Sequence, residues 1–135
     1  MMKLLIYGGT FDPPHFAHTQ LAKKAMDYLA CNKVVFVIAA TSPFKNTSNQ
    51  SEEKHRLEML RLALASEPWA EISTLELDRG GTSYTIDTLE TLQSQYGDDV
   101  TFTLLIGEDQ SEKFDQWHRA DEIEAIANVA VLARE

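Results

Sequence analysis

Apolar and polar positions in this chain switch repeatedly between a period of two and a period near 3.6. Residues 3–7 form a short β-type run around Leu4, Leu5 and Ile6. Residues 33–39 (Val34-Val35-Phe36-Val37-Ile38) are continuously β-branched or aromatic, as expected of a strand covered on both faces. Residues 100–106 repeat that pattern, 71–77 alternate with one wetter face, and 128–133 make a fifth strand. Between these runs the spacing becomes helical. Residues 16–30 place Leu21, Ala25 and Leu29 on one face, 51–65 carry a stripe of Leu57, Leu60 and Leu64, and 84–95 end at Gly97. Short helices are expected at 109–114 and 121–127, a loop at 41–50 around Pro43, and a turn at Arg79-Gly80-Gly81.

The resulting βαβαβ order predicts one α/β domain over 1–135, a five-stranded parallel sheet doubly wound by helices on both faces. No repeat, linker or low-complexity tract divides it. Right-handed crossovers put the ligand crevice at the carboxyl ends of the strands, where Gly8, 39–40, 77–78, Gly107 and 133–134 are expected.

Composition narrows the partners. A net charge of −9 over 135 residues leaves no basic stripe for a nucleic-acid polymer, whereas a nucleotide needs only a few local donors. The longest apolar run, 34–40, is too short to span a bilayer, and the first residues lack the shape of a signal peptide. A single cysteine, Cys31, cannot form an internal disulfide. These features point to a cytoplasmic protein without a membrane partner, and a homo-oligomer is compatible with them.

The chemistry concentrates where the first strand ends, in Gly8-Gly9-Thr10-Phe11-Asp12-Pro13-Pro14-His15-Phe16-Ala17-His18. Glycines without a Cβ let backbone N–H groups approach a phosphate, and Asp12-Pro13-Pro14 breaks the strand and launches a helix. His15 and His18, spaced i, i+3, share one face of its first turn, beside N–H groups that attract anions. A zinc site is disfavoured, because helical zinc pairs usually take i, i+4 spacing with a further ligand and Cys31 lies elsewhere. Metal ligands are therefore not assigned.

Other stretches face the same crevice. In Gly81-Thr82-Ser83-Tyr84-Thr85-Ile86-Asp87-Thr88-Leu89, Ser83 is an expected N-cap and Ile86 and Leu89 core residues. The hydroxyls and free N–H groups at that helix start can equally hold a carboxylate or phosphate. Asp109, just past Gly107, either caps the next helix or accepts from ribose hydroxyls. Trp117 is either a packing anchor or a flat surface for stacking a pyridine or adenine ring. Lys45, after the second strand, is either a phosphate donor or a solvated lysine.

The run from Gly8 to His18 resembles the (G)GTFDPxHxGH motif of the nucleotidyltransferase superfamily, with Ala17 in place of the usual glycine. The stretch Ser83-Tyr84-Thr85-Ile86-Asp87-Thr88-Leu89 resembles the SYT(I/V)DTL segment of bacterial nicotinate-nucleotide adenylyltransferases. So does Ile106-Gly107-x-Asp109 through Phe114, Trp117, Arg119, Glu122 and Ile123. Ser42-Pro43-Phe44-Lys45 matches only partly, Phe44 replacing a histidine, and His55–Leu60 is similar to the family's R-x-x-M helix.

The resemblance implies strand order 3-2-1-4-5 and adenylyl transfer from ATP to nicotinate mononucleotide or its amide, with Mg2+ carried by ATP. It implies phosphate contacts from His15, His18 and the N–H groups of Gly9, Thr10 and Phe11, with Lys45 as a further donor. Adenosine would lie near Gly8, Gly107 and Asp109. The pyridine nucleotide would lie near Ser83, Tyr84, Thr85 and Trp117, with Arg134 on its phosphate. The family's Ser/Thr-rich, Arg-bearing ISSTxIR segment, which follows the fifth strand and holds the ATP phosphates, is absent from residues 1–135.

Overall fold

Leu4, Leu5 and Ile6 are almost fully buried because the strand that carries them, β1 (Met2–Gly9), lies in the middle of the sheet. This computed structural model describes residues 2–9, 11, 16–40, 49–79 and 84–132. Strand β1 pairs in parallel with β2 (Lys33–Ile38) on one side and β4 (Val100–Gly107) on the other. Strands β3 (Ala70–Ser73) and β5 (Ala127–Leu132) complete a five-stranded parallel sheet in the order β3-β2-β1-β4-β5, the order expected. The strand order reverses between β1 and β4, where a parallel sheet opens a crevice at its carboxyl edge.

Alternating side chains divide the core in two. Leu4, Ile6, Val35, Phe102 and Leu104 pack on one face with Ile86, Leu89 and Leu92 of α4 (Thr85–Tyr96) and Ile123 of α6 (Ala120–Ile126). Leu5, Val34, Phe36, Ile38 and Leu105 pack on the other with Ala22 and Met26 of α1 (Phe16–Tyr28) and Leu60 and Leu64 of α2 (Asn49–Leu64). On α1 the buried positions are Thr19, Ala22 and Met26, one residue round from the expected stripe, whose Leu21, Ala25 and Leu29 are half-buried. Among the described residues no helix is long and apolar enough to cross a membrane.

The third strand is shorter than expected. Only Ala70–Ser73 pairs with β2, and 75–79 forms helix α3 (Leu75–Arg79). Local polar groups account for the switch. Asp78 N donates to the Thr74 carbonyl at 2.9 Å, the Thr74 hydroxyl to Asp78 at 3.0 Å, and Leu75 N to the Ser73 hydroxyl at 3.4 Å. Residues 77–78 therefore belong to a helix, not to a strand end. The expected helix at 109–114 divides into α5 (Glu108–Ser111) and a 3-10 turn (Phe114–Gln116). The expected Asp12–Pro14 corner, residues 41–48 of the expected 41–50 loop and the Gly80-Gly81 pair of the expected turn lie outside the described residues, whereas 49–50 open α2 and are not loop.

Candidate active site

The end of β1 is shaped by the contact between Gly9 and Phe11. Gly9 donates nothing with a side chain, but its carbonyl accepts from Ala39 N at 2.8 Å, tying β1 to the end of β2. A Cβ at Gly9 would stand 3.3 Å from Phe11 Cζ, whereas one at Gly8 would meet only the Val37 carbonyl at 3.7 Å. Phe11 turns the chain with a φ of +50°, a region that L-residues seldom adopt. Its ring is buried and lies edge-on to Tyr7 (5.8 Å, 77°) and Phe36 (5.8 Å, 66°), so aromatic packing holds the unusual backbone in place.

His18 lies in α1, the helix that follows this turn, half-buried and with its Nδ1 shielded from solvent. Arg56, in the stretch similar to the R-x-x-M helix, is buried and donates from Nη1 to the Ala39 carbonyl at 3.0 Å. It braces the carboxyl end of β2, a structural task. Thr10, His15, Lys45, Ser83 and Arg134 lie outside the described residues.

Across the switch point, Gly107 ends β4 and is itself the N-cap of α5. Asp109 is therefore inside the helix's first turn and not its cap, a correction to one of its two expected roles. Gln110 takes the capping task, its side-chain oxygen accepting from Gly107 N at 3.4 Å. The α4 start also differs from expectation. Tyr84 is the N-cap, extended at φ −110° and ψ 144°, and makes no side-chain cap bond. Among the described residues no capping side chain occupies the backbone donors in the first turn of α4.

Between the α4 start and the 3-10 turn lies a cavity of about 350 Å³, lined by Tyr84, Thr85, Gln110, Trp117, His118 and Ile123. Trp117 is half-buried, packs on Phe114 (5.1 Å, 49°) and the α4/α6 side of the core, and also lines this cavity. The packing role is thus met, and the ring also faces open space. Tyr84 and His118 stack at 4.2 Å with 32° between their planes. Neither His118 nor Gln110 was marked by a motif; the only sequence cue to them is adjacency to Trp117 and Asp109.

The Thr88 hydroxyl donates to Glu76 at 2.6 Å, and burial raises the Glu76 carboxyl above its ordinary range despite that bond and the nearby Arg79. Arg119 donates to Glu122, which holds that carboxylate below its usual range, and the same bond pushes the guanidinium further up. Among the described residues no three His, Cys, Asp or Glu side chains are grouped to hold a metal ion.

The sequence matches the Cytidylyltransferase-like family over residues 6–135. It is 40% identical over 134 residues to a Herpetosiphon aurantiacus protein named "Probable nicotinate-nucleotide adenylyltransferase", covering 99% of this chain and 67% of that one. It is 36% identical over 123 residues to the Bacillus subtilis nicotinate-nucleotide adenylyltransferase, covering 91% of this chain and 65% of the relative. The fold is similar to that of the Plasmodium falciparum nicotinic acid mononucleotide adenylyltransferase complexed with NaAD. The TM-score is 0.76 at 18% identity, over 99% of this chain and 76% of that one. The chain spans about three-fifths to two-thirds of the length of the curated relatives it matches. It belongs to the Cytidylyltransferase-like family, among relatives named nicotinate-nucleotide adenylyltransferases.

Proposed function

We propose that this chain transfers the adenylyl group of ATP to nicotinate mononucleotide, forming the dinucleotide and pyrophosphate in a cytoplasmic step of NAD synthesis. The observation that carries the reading is the aromatic cavity of Tyr84, Thr85 and Trp117, set across the β1/β4 switch point from the Gly8-Gly9-Phe11 turn. One half suits a flat aromatic ring, the other a polyphosphate. The names of the relatives support the same substrates.

In this reading a phosphate oxygen of the mononucleotide attacks the α-phosphorus of ATP in line. The bond from that phosphorus to the bridging oxygen breaks, and pyrophosphate leaves with its electron pair. No covalent bond to the protein is needed. The chain's task is to hold two anions together and stabilise charge at the transferring phosphorus, for which orientation can supply roughly 7–11 kcal/mol. His15, His18 and the N–H groups of Gly9, Thr10 and Phe11 are assigned to the phosphates, with Lys45 as a further donor. Adenosine is assigned to Gly8, Gly107 and Asp109. The pyridine nucleotide is assigned to Ser83, Tyr84, Thr85 and Trp117, with Arg134 on its phosphate. Mg2+ enters as part of the Mg·ATP substrate.

Product analysis on the 135-residue chain tests the reading. With Mg·ATP, nicotinate mononucleotide or its amide is expected to give dinucleotide and pyrophosphate in equal amounts. Phosphopantetheine as the productive acceptor would move the chain to a sister reaction. Nucleotide binding without turnover of any acceptor would make it a binding module.

A further inference from the structure

Arg119 has no role in the chemistry assigned above, yet its side chain joins the two walls of the aromatic cavity. It follows Trp117 and His118 directly and caps α6 in the left-handed region (φ 54°, ψ 44°). Its carbonyl accepts from the Glu122 and Ile123 amides at 3.0 and 3.1 Å, and Ile123 lines the cavity floor. The guanidinium spreads over three carboxylates from two helices. Nη2 donates to Glu122 of α6 at 2.9 Å, with Nε on the second oxygen of the same carboxylate. On α4, Glu90 stands 3.4 Å away and Asp87 3.8 Å. Tyr84 and Thr85, the opposite wall, are the cap and first residue of that same helix.

We infer that Arg119 is a positioning residue that sets the separation of the Trp117/His118 wall from the Tyr84/Thr85 wall, and through it the affinity for the acceptor's aromatic ring. The inference rests on the reading of this cavity as the pyridine-nucleotide pocket. A lone exposed ion pair would constrain little, but a rigid planar fork engaged by acids on two helices fixes their relative position. Lysine cannot replace it: an ammonium is a point charge and reaches one carboxylate well at a time. The left-handed backbone separates the second function of the residue. Glycine at 119 would ease the backbone while removing the fork.

The test compares the 135-residue parent with Arg119→Lys, Arg119→Gly and, on the facing helix, the Asp87→Asn/Glu90→Gln double variant. Steady-state rates are read against nicotinate mononucleotide and ATP separately, with thermal melts alongside. All three variants are expected to raise the acceptor KM on the order of tenfold, the mark of binding lost equally from ground state and transition state. The ATP KM and kcat are expected to stay within about twofold of the parent. Acceptor KM unchanged in the folded variants overturns the inference, as does a parallel rise in both KM values, which is the mark of general loosening. Should the Arg119 variants not fold, the double variant on α4 decides. A parent that uses no pyridine mononucleotide overturns the functional reading itself and removes the acceptor role of Arg119 with it.

Discussion

The Thr88 hydroxyl meets a carboxylate oxygen of Glu76 at 2.6 Å, joining α3 to α4 one turn beyond Thr85. Thr88 is buried and Glu76 half-buried, and burial is the main reason that the Glu76 carboxyl is raised from 4.5. The folded state therefore holds the Glu76 proton more tightly than the unfolded chain does. Stability from this group is greatest below its ordinary value and falls as pH rises through the window from 4.5 up to the raised folded value.

Glu76→Gln is expected to remove that loss, because the amide oxygen can still accept from Thr88 and carries no charge to desolvate. Relative to the parent, the variant should gain thermal stability between pH 4 and pH 7. Melts across that range check it. A constant difference between the two proteins would show that the Glu76 charge is not what burial acts on.

At the end of β1 the two glycines are expected to differ. Gly9→Ala puts a Cβ 3.3 Å from the Phe11 ring, which Tyr7 and Phe36 hold edge-on, so the aromatic cluster must shift. The cost should be about 1–3 kcal/mol, the scale of overpacking in a core. Gly8→Ala makes only an ordinary contact with the Val37 carbonyl and should lie within about 1 kcal/mol of the parent. Urea unfolding of both variants checks the contrast, and equal stabilities would contradict it.

Trp117→Ala should weaken nicotinate mononucleotide binding by roughly 1–3 kcal/mol, the value of one base–aromatic stack. ATP affinity should hardly change. Titration calorimetry with each substrate reads this directly. Unaltered mononucleotide affinity with a lowered melting temperature would leave Trp117 its contact with Phe114 and no binding role.

The sheet was legible because its central strands are buried on both faces. A continuous run such as Val34–Ile38 has no polar alternative, and its strand came out at 33–38, one residue short of the expected end. The edge strand was harder. Leu75 and Leu77 keep a period of two beyond Ser73, but the Ser73 hydroxyl and the Thr74 carbonyl offered the Leu75 and Asp78 amides local hydrogen bonds in place of a ladder. Caps were missed for a related reason. Asp109 and Ser83 are good N-cap residues by type, whereas the helices begin after Gly107 and Tyr84, and at Gly107 the side chain of Gln110, three residues on, takes the capping task. The Trp117 side of the site was visible as a motif. Its partners His118 and Gln110 were not, because a ring stack and a cavity wall depend on a juxtaposition of distant segments.

The central claim is that adenylyl transfer occurs at the end of β1, with His18 acting on charge at the transferring phosphate. The most direct measurement is the steady-state rate of dinucleotide formation by His18→Ala beside the parent, with a thermal melt of each. The account predicts a kcat lower by about 10²–10³-fold, as when a donor to transition-state charge is removed, with substrate KM values moving much less and the fold intact. A folded His18→Ala protein with near-parent kcat, or one inactive only because it has unfolded, would contradict it.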